Sequence, residues 1–187
     1  MRRRLLPALL LPAPAMAQED ELSRLMRALA AIPERRDRFS EDRAIPELDL
    51  PVPNEGTLSW TAPDQLEKHT LSPIDERLVV SGGRLLYERR DRGFSREFSL
   101  SDQPEMQALV EAIRGTLAGD LPALRRHYEV AFEGSHAGAW RLVLRPIAPR
   151  LRGSVQRIIV TGEAARLKGV DTEGNGSVSR MRIAPAP

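Results

Sequence analysis

The chain has 187 residues, enough for one domain with a sizeable core and too few for two of ordinary size. Hydrophobic residues make up 41% and charged residues 29%, which argues against wholesale disorder. There is no cysteine, so disulfides, thiol catalysis, cysteine-based metal sites and a lipid-modified N-terminal cysteine are all excluded.

The first 17 residues read as a secretory signal. Arg2, Arg3 and Arg4 form a positive start, Leu5 to Pro14 is a short apolar run, and Ala15-Met16-Ala17 fits a small-x-small cleavage site. The run is too short to cross a bilayer and carries Pro7, Pro12 and Pro14, so a transmembrane helix is a poor reading. Cleavage leaves one mature domain, residues 18–187, expected beyond the inner membrane without a stable anchor. Three of the 28 basic residues lie in the signal and none of the 26 acidic ones does, leaving 25 against 26 and a formal charge of −1. That removes the basic surplus a nucleic-acid binder needs. Lys68 and Lys168 are the only lysines, and the arginines are scattered.

Along the mature chain, Leu22, Leu25, Met26 and Leu29 recur at helical spacing behind an acidic start, predicting a helix over 20–32 that Pro33 closes. A polar, edge-like strand is expected over 36–45, and residues 46–56, with three prolines, read as a loop. Strands are then expected at 57–61, 65–71, 76–81, 84–90 and 94–100, with turns at Gly82-Gly83 and Asp91-Arg92-Gly93. Pro104 opens an amphipathic helix carrying Met106, Leu109, Val110, Ile113 and Leu117, which Gly119 ends. Asp120 is placed to cap a further short helix through Arg126. Strands resume at 128–133, 139–145, 155–161, 167–171 and 177–183. About eleven strands with no room for crossover helices between neighbours predict a large antiparallel sheet, mainly β with α. The two amphipathic helices must cover one of its faces, and a sheet of that size tends to curl.

Catalytic and metal motifs are poorly supported, so neither an enzyme nor a cofactor is expected. His69, His127 and His136 fall in separate segments with no metal-ligand spacing. Ser135 in GSHAG lacks the central position of a nucleophile elbow and sits in a hairpin loop. The stretch DTEGNGS echoes the start of a calcium loop, but Arg182 stands where a bidentate Glu is needed, and Asn175-Gly176 is a hairpin signal. Adjacent acids such as Glu41-Asp42 and Asp75-Glu76 would face opposite sides of a strand and cannot flank one bond. What remains is apolar alternation: Leu58 with Trp60, Leu78 with Val80, Ile158 with Val160, and Trp140, Leu142 and Leu144 together, with Arg141 and Arg145 opposite. That pattern fits a filled core or a lined cavity equally.

The order of F39-SEDR, G56-TLSWTAPDQL, P73-IDERLVVSGGRLLY, the Pro104 helix, L117-AGD, Y128-EVAF, W140-RLVLRP and the IIVTGE and DTEGNGS hairpins resembles the periplasmic lipoprotein carrier LolA and its relatives. The L-x-G-D and W-x-L-x-L-x-P segments look more like the LolA-related carriers found beside lipid and aryl-polyene assembly genes. The resemblance implies an open, curled antiparallel sheet (an incomplete barrel) with helices as a lid over an apolar cavity for acyl chains. On that basis Leu66 matches a cavity position, with Leu58, Trp60, Leu78 and Val79 as weaker matches. Leu86, Phe98, Trp140, Leu142, Leu144 and Ile158 complete the expected wall. Leu25, Met26, Leu29, Met106, Leu109, Val110 and Ile113 make the expected lid. The implied role is a soluble periplasmic carrier, taking an acylated lipoprotein or another lipid from an inner-membrane exporter to an outer-membrane acceptor and acting as a monomer. The alternative is a periplasmic accessory or scaffold protein with a filled core. Two departures from LolA bear on cargo: Ala62 stands where LolA has a lid-fastening Arg before the proline, and the chain stops after its last hairpin. Both make a glycolipid or polyene-type lipid as good a candidate as a lipoprotein.

Overall fold

Turn chemistry dictates the architecture. The computed structural model of the protein describes residues 13–44, 52–174 and 176–186. Among these, eleven strands form: β1 (Glu34–Ala44), β2 (Val52–Thr61), β3 (Gln65–Ser72), β4 (Glu76–Ser81), β5 (Arg84–Arg89), β6 (Phe94–Ser99), β7 (Tyr128–Gly134), β8 (Ala139–Pro146), β9 (Arg157–Glu163), β10 (Arg166–Gly174) and β11 (Ser177–Pro185). They make one sheet in the order β6-β5-β4-β3-β2-β1-β11-β10-β9-β8-β7, with every neighbouring pair antiparallel. The first and last strands meet in the middle, and β6 and β7 are unjoined edges. The sheet is open, as the family resemblance implies.

Helices α2 (Pro104–Leu117) and α3 (Leu121–His127) carry the chain from one edge strand to the other. α2 touches β9 and also lies over Leu58, Leu66, Leu78 and Leu85 of β2 to β5. In a flat sheet β5 and β9 would stand about 34 Å apart, whereas a 14-residue helix is about 21 Å long. The sheet therefore bends around the helix. α1 (Ala13–Ala30) packs on α2 and β7, burying Leu22, Leu25, Met26 and Leu29. Gln18 Nε2 donates to the Phe132 carbonyl at 3.1 Å, and Glu21 accepts from Ser135 Oγ, the His136 amide and His136 Nδ1 at 2.8–2.9 Å. The GSHAG loop is thus a clamp on α1. Beneath the helices Leu142, Leu144, Ile158 and Val160 are completely buried.

Three local expectations are corrected. α1 begins seven residues before Asp20 and ends at Ala30, because Ala13, Ala15, Met16 and Ala17 favour helix and Pro33 has already turned the chain. Residues 52–56 belong to β2, where Pro53 lies beyond the β3 pairing and needs no donor on that side. The remainder of the expected loop, 46–51, lies outside the described residues. A four-residue helix, α4 (Pro149–Arg152), buries Leu151, so β9 starts two residues later than expected. The Asp120 cap forms as anticipated, its Oδ1 accepting from the Ala123 amide at 2.8 Å. In the false calcium loop, Arg182 Nη1 donates to Asp171 Oδ1 at 3.1 Å across the β10–β11 ladder, as a hairpin requires.

Candidate functional site

A cleft lies between α2 and the inner face of β2 to β5, and strand register explains its lining. The two-residue Gly82-Gly83 turn sets Ser81 opposite Arg84, hence Val80 opposite Leu85 and Val79 opposite Leu86. Val80 in turn faces Leu66, and Leu66 faces Trp60. One inward row is therefore Trp60, Leu66, Val80 and Leu85. The next, two residues along, runs Leu58, Lys68 and Leu78. From above, Met106, Leu109, Val110 and Ile113 of α2 close the cleft, and Met181 of β11 completes it. Leu78, Met106 and Leu109 are half-buried at its rim. Its free space is about 40 Å³, room for a few water-sized groups.

Lys68 is the one charged side chain in this lining among the described residues. Its ammonium is tied to the buried Glu41 carboxylate and lies 4.9 Å from the centre of the Phe39 ring. Glu41 also accepts from Ser179 Oγ at 2.5 Å. The charge is neutralised locally, and its stem adds apolar surface to the wall. α2 carries Arg114 in its last turn. Arg114 Nη2 lies 3.9 Å from Asp64 in the β2–β3 turn, and Asp64 accepts the Gly82 amide at 2.7 Å. The cation is therefore on the helix and its carboxylate on the turn next to Ala62. Tyr128, buried under α2, donates its hydroxyl to the Ala108 carbonyl, and burial holds its pKa above the usual phenol range.

The residues singled out from the sequence separate into five places. Leu58, Leu66, Leu78, Met106, Leu109, Val110 and Ile113 come together in the cleft. Trp60 borders a narrow neck beside it, with Leu117, Leu167 and Ile183. Trp140, Leu142, Leu144, Ile158, Leu25, Met26 and Leu29 are buried in the packed core under α1 and line no part of the cleft. Val79 and Leu86 face the other side of the sheet, because the turn pairs them with each other, out of step with Val80 and Leu85. Phe98 pairs with Leu85 at the open edge, half-buried, with the Arg96 guanidinium 5.8 Å from its ring centre. Val80, singled out only for its alternation with Leu78, and Leu85, Lys68 and Met181 also line the cleft without belonging to the expected wall. The first two were available from period-two alternation through a two-residue turn; Lys68 was masked by its charge and Met181 by its distance along the chain.

The sequence matches the family described as outer membrane lipoprotein carrier protein LolA-like over residues 12–186. No curated protein matches it. Among solved structures it is similar to the LolA superfamily protein NE2245 from Nitrosomonas europaea, at 12% identity and a TM-score of 0.47, covering 89% of this chain and 91% of that one. It is also similar to LprF from Mycobacterium bovis, at 12% identity and a TM-score of 0.42, covering 93% and 95%. A third is the structure of the CwlD amidase from Clostridioides difficile in complex with the GerS lipoprotein, at 12% identity and a TM-score of 0.40, covering 94% and 91%. Matched along nearly all of its length, the chain belongs to the LolA-like family of outer membrane lipoprotein carrier proteins.

Proposed function

We propose that the protein is an exported periplasmic carrier that shields the hydrocarbon chains of a lipid or acylated lipoprotein between sheet and helix α2. The observation that carries this is the cleft: a contiguous apolar lining whose single cation among the described residues is already neutralised, under a helix that reaches the β2–β3 turn by a 3.9 Å ion pair from Arg114 to Asp64. Such a surface rewards methylenes, each contributing about 0.8 kcal/mol on leaving water, and offers a guest no competing charge. As α2 rises, Val110 and Ile113 lose contact with the sheet and the guest replaces that contact. Release needs no chemistry, only a better apolar environment elsewhere. An inner-membrane exporter and an outer-membrane acceptor would then serve as loading and unloading partners for a monomeric carrier.

The free volume of about 40 Å³ favours a second reading, a periplasmic accessory protein whose interior is packed core. Mass spectrometry of protein purified natively from its own envelope separates the two. Co-purified acyl species, or saturable binding of a fatty-acyl probe that Leu78→Trp blocks, supports the carrier. Lipid-free protein that ignores the probe assigns the scaffold.

A further inference from the structure

We propose that a basic notch beside the cleft takes the anionic head, a phosphate or carboxylate, of the guest whose tail the cleft shields; this rests on the carrier reading. The notch follows from strand lengths. β11 stops at Pro185, opposite Asp37, whereas β1 runs back to Glu34 and β10 begins at Arg166. Where β11 is missing between its two neighbours, a recess of about 230 Å³ opens, lined by Arg35, Arg36, Arg166 and Lys168, with Asp37 as its one carboxylate among the described residues.

The four cations are not equally engaged. Arg35 bridges the recess, donating from Nη1 to the Ala165 carbonyl and from Nη2 to the Leu29 carbonyl at 3.2 Å. Its Nε is buried without a hydrogen-bond partner among the described residues. Lys168 is 3.6 Å from Glu163. The side chains of Arg36 and Arg166 are exposed and make no hydrogen bond or ion pair with a described residue, although Arg36 acts electrostatically on Glu67 and Arg166 on Asp37. Burial raises the Asp37 pKa, and Arg35 and Arg166 act against that rise. The recess thus keeps a surplus of positive charge, with two guanidiniums whose paired N–H groups suit phosphate or carboxylate oxygens.

Register joins this notch to the cleft. On the inner face Asp37 stands opposite Leu58, and Arg35 opposite Trp60. The neck lined by Leu58, Trp60, Leu117, Leu167 and Ile183 also touches Arg35 and Asp37. One strand spacing, about 4.8 Å, therefore separates Arg35 and Asp37 from the apolar wall. Arg36 and Arg166, one residue out of step with Asp37 and Leu167, face the other side of the sheet at the gap beyond Pro185. A single-headed amphiphile spans both features through that gap, with its oxygens between Arg36 and Arg166 and its chain passing Arg35 and Leu58 under α2.

Calorimetry on the purified protein at low salt, with dodecyl phosphate, dodecanol and inorganic phosphate below micelle concentrations, tests the assignment. Dodecyl phosphate is expected to bind at least about tenfold more tightly than dodecanol, from one or two charge-assisted hydrogen bonds. The double variant Arg36→Ala, Arg166→Ala, which alters only exposed side chains, should lose most of that preference and leave dodecanol binding unchanged. Equal affinity of the wild type for the two amphiphiles overturns the notch and leaves the carrier reading intact. Inorganic phosphate binding as tightly as dodecyl phosphate assigns the notch to a free anion and overturns the lipid head. Binding of neither amphiphile overturns both readings.

Discussion

Shortening Ile113 to alanine removes three carbons from the face of α2 that closes the cleft. The side chain is 3% exposed, so nearly all of its apolar surface is out of water. At about 0.8 kcal/mol per buried methylene the transfer loss is about 2.4 kcal/mol, and a retained void adds to it, within the 2–5 kcal/mol range of such truncations. Alanine's better helix propensity returns a few tenths. The expected loss is thus about 2–3 kcal/mol if α2 settles onto the sheet and about 4 kcal/mol if it keeps its place. Urea unfolding followed by tryptophan fluorescence reads this directly, since Trp60 and Trp140 are 2% and 3% exposed and both redden on unfolding. Because the void lies where the guest's chain is expected, the variant should also bind a fatty-acyl probe more tightly than the wild type. At a hundred times its dissociation constant the probe should restore about 2.7 kcal/mol. A loss below about 1 kcal/mol with no gain in probe affinity would refute the assignment of α2 as the cleft's cover.

Two further predictions concern how the helices are held. Glu21 is held down to about 2, chiefly by the His136 side-chain hydrogen bond and then by the His136 amide and Ser135. A depressed carboxylate stabilises above its unfolded pKa, near 4.5, and loses that contribution as pH falls through about 2. The difference in urea midpoint between wild type and Glu21→Gln should shrink as pH falls from 4.5 to 2; a gap unchanged at pH 2 rules out the clamp. Gly119 has φ +65°, and a Cβ there would sit 2.1 Å from the Met26 carbonyl oxygen of α1. Gly119→Ala should cost at least about 2 kcal/mol, whereas Gly83→Ala, at φ +78° with nothing within 4 Å, should cost only about 1 kcal/mol. Similar losses at the two sites, measured by chemical denaturation, would show that α1 does not press on this turn.

Much of this fold is legible along the chain, because its signals are local. The Gly82-Gly83 turn, Pro104 at the first position of α2 and the Asp120 cap each act within a few residues, so strand number, antiparallel pairing and the two long helices follow from spacing. Period-two alternation also places Leu58 and Leu78 on one face, and carried through the two-residue turn it would have excluded Val79 and Leu86. What remained hidden depends on contacts between distant segments. Trp140 and Leu142 alternate just as Leu58 and Trp60 do, yet they are buried in solid core, because α1 packs on β7, and nothing local reports which half of the sheet a helix will cover. The neutralisation of Lys68 by Glu41, and the notch left where β11 ends between β1 and β10, join residues far apart in sequence. The repertoire of strands and helices can be read along the chain, since turns, caps and alternation are short-range physics. Which apolar rows stay open beneath α2, and which charges gather beside them, emerges with the fold, since bending one sheet around one helix is set by long-range packing.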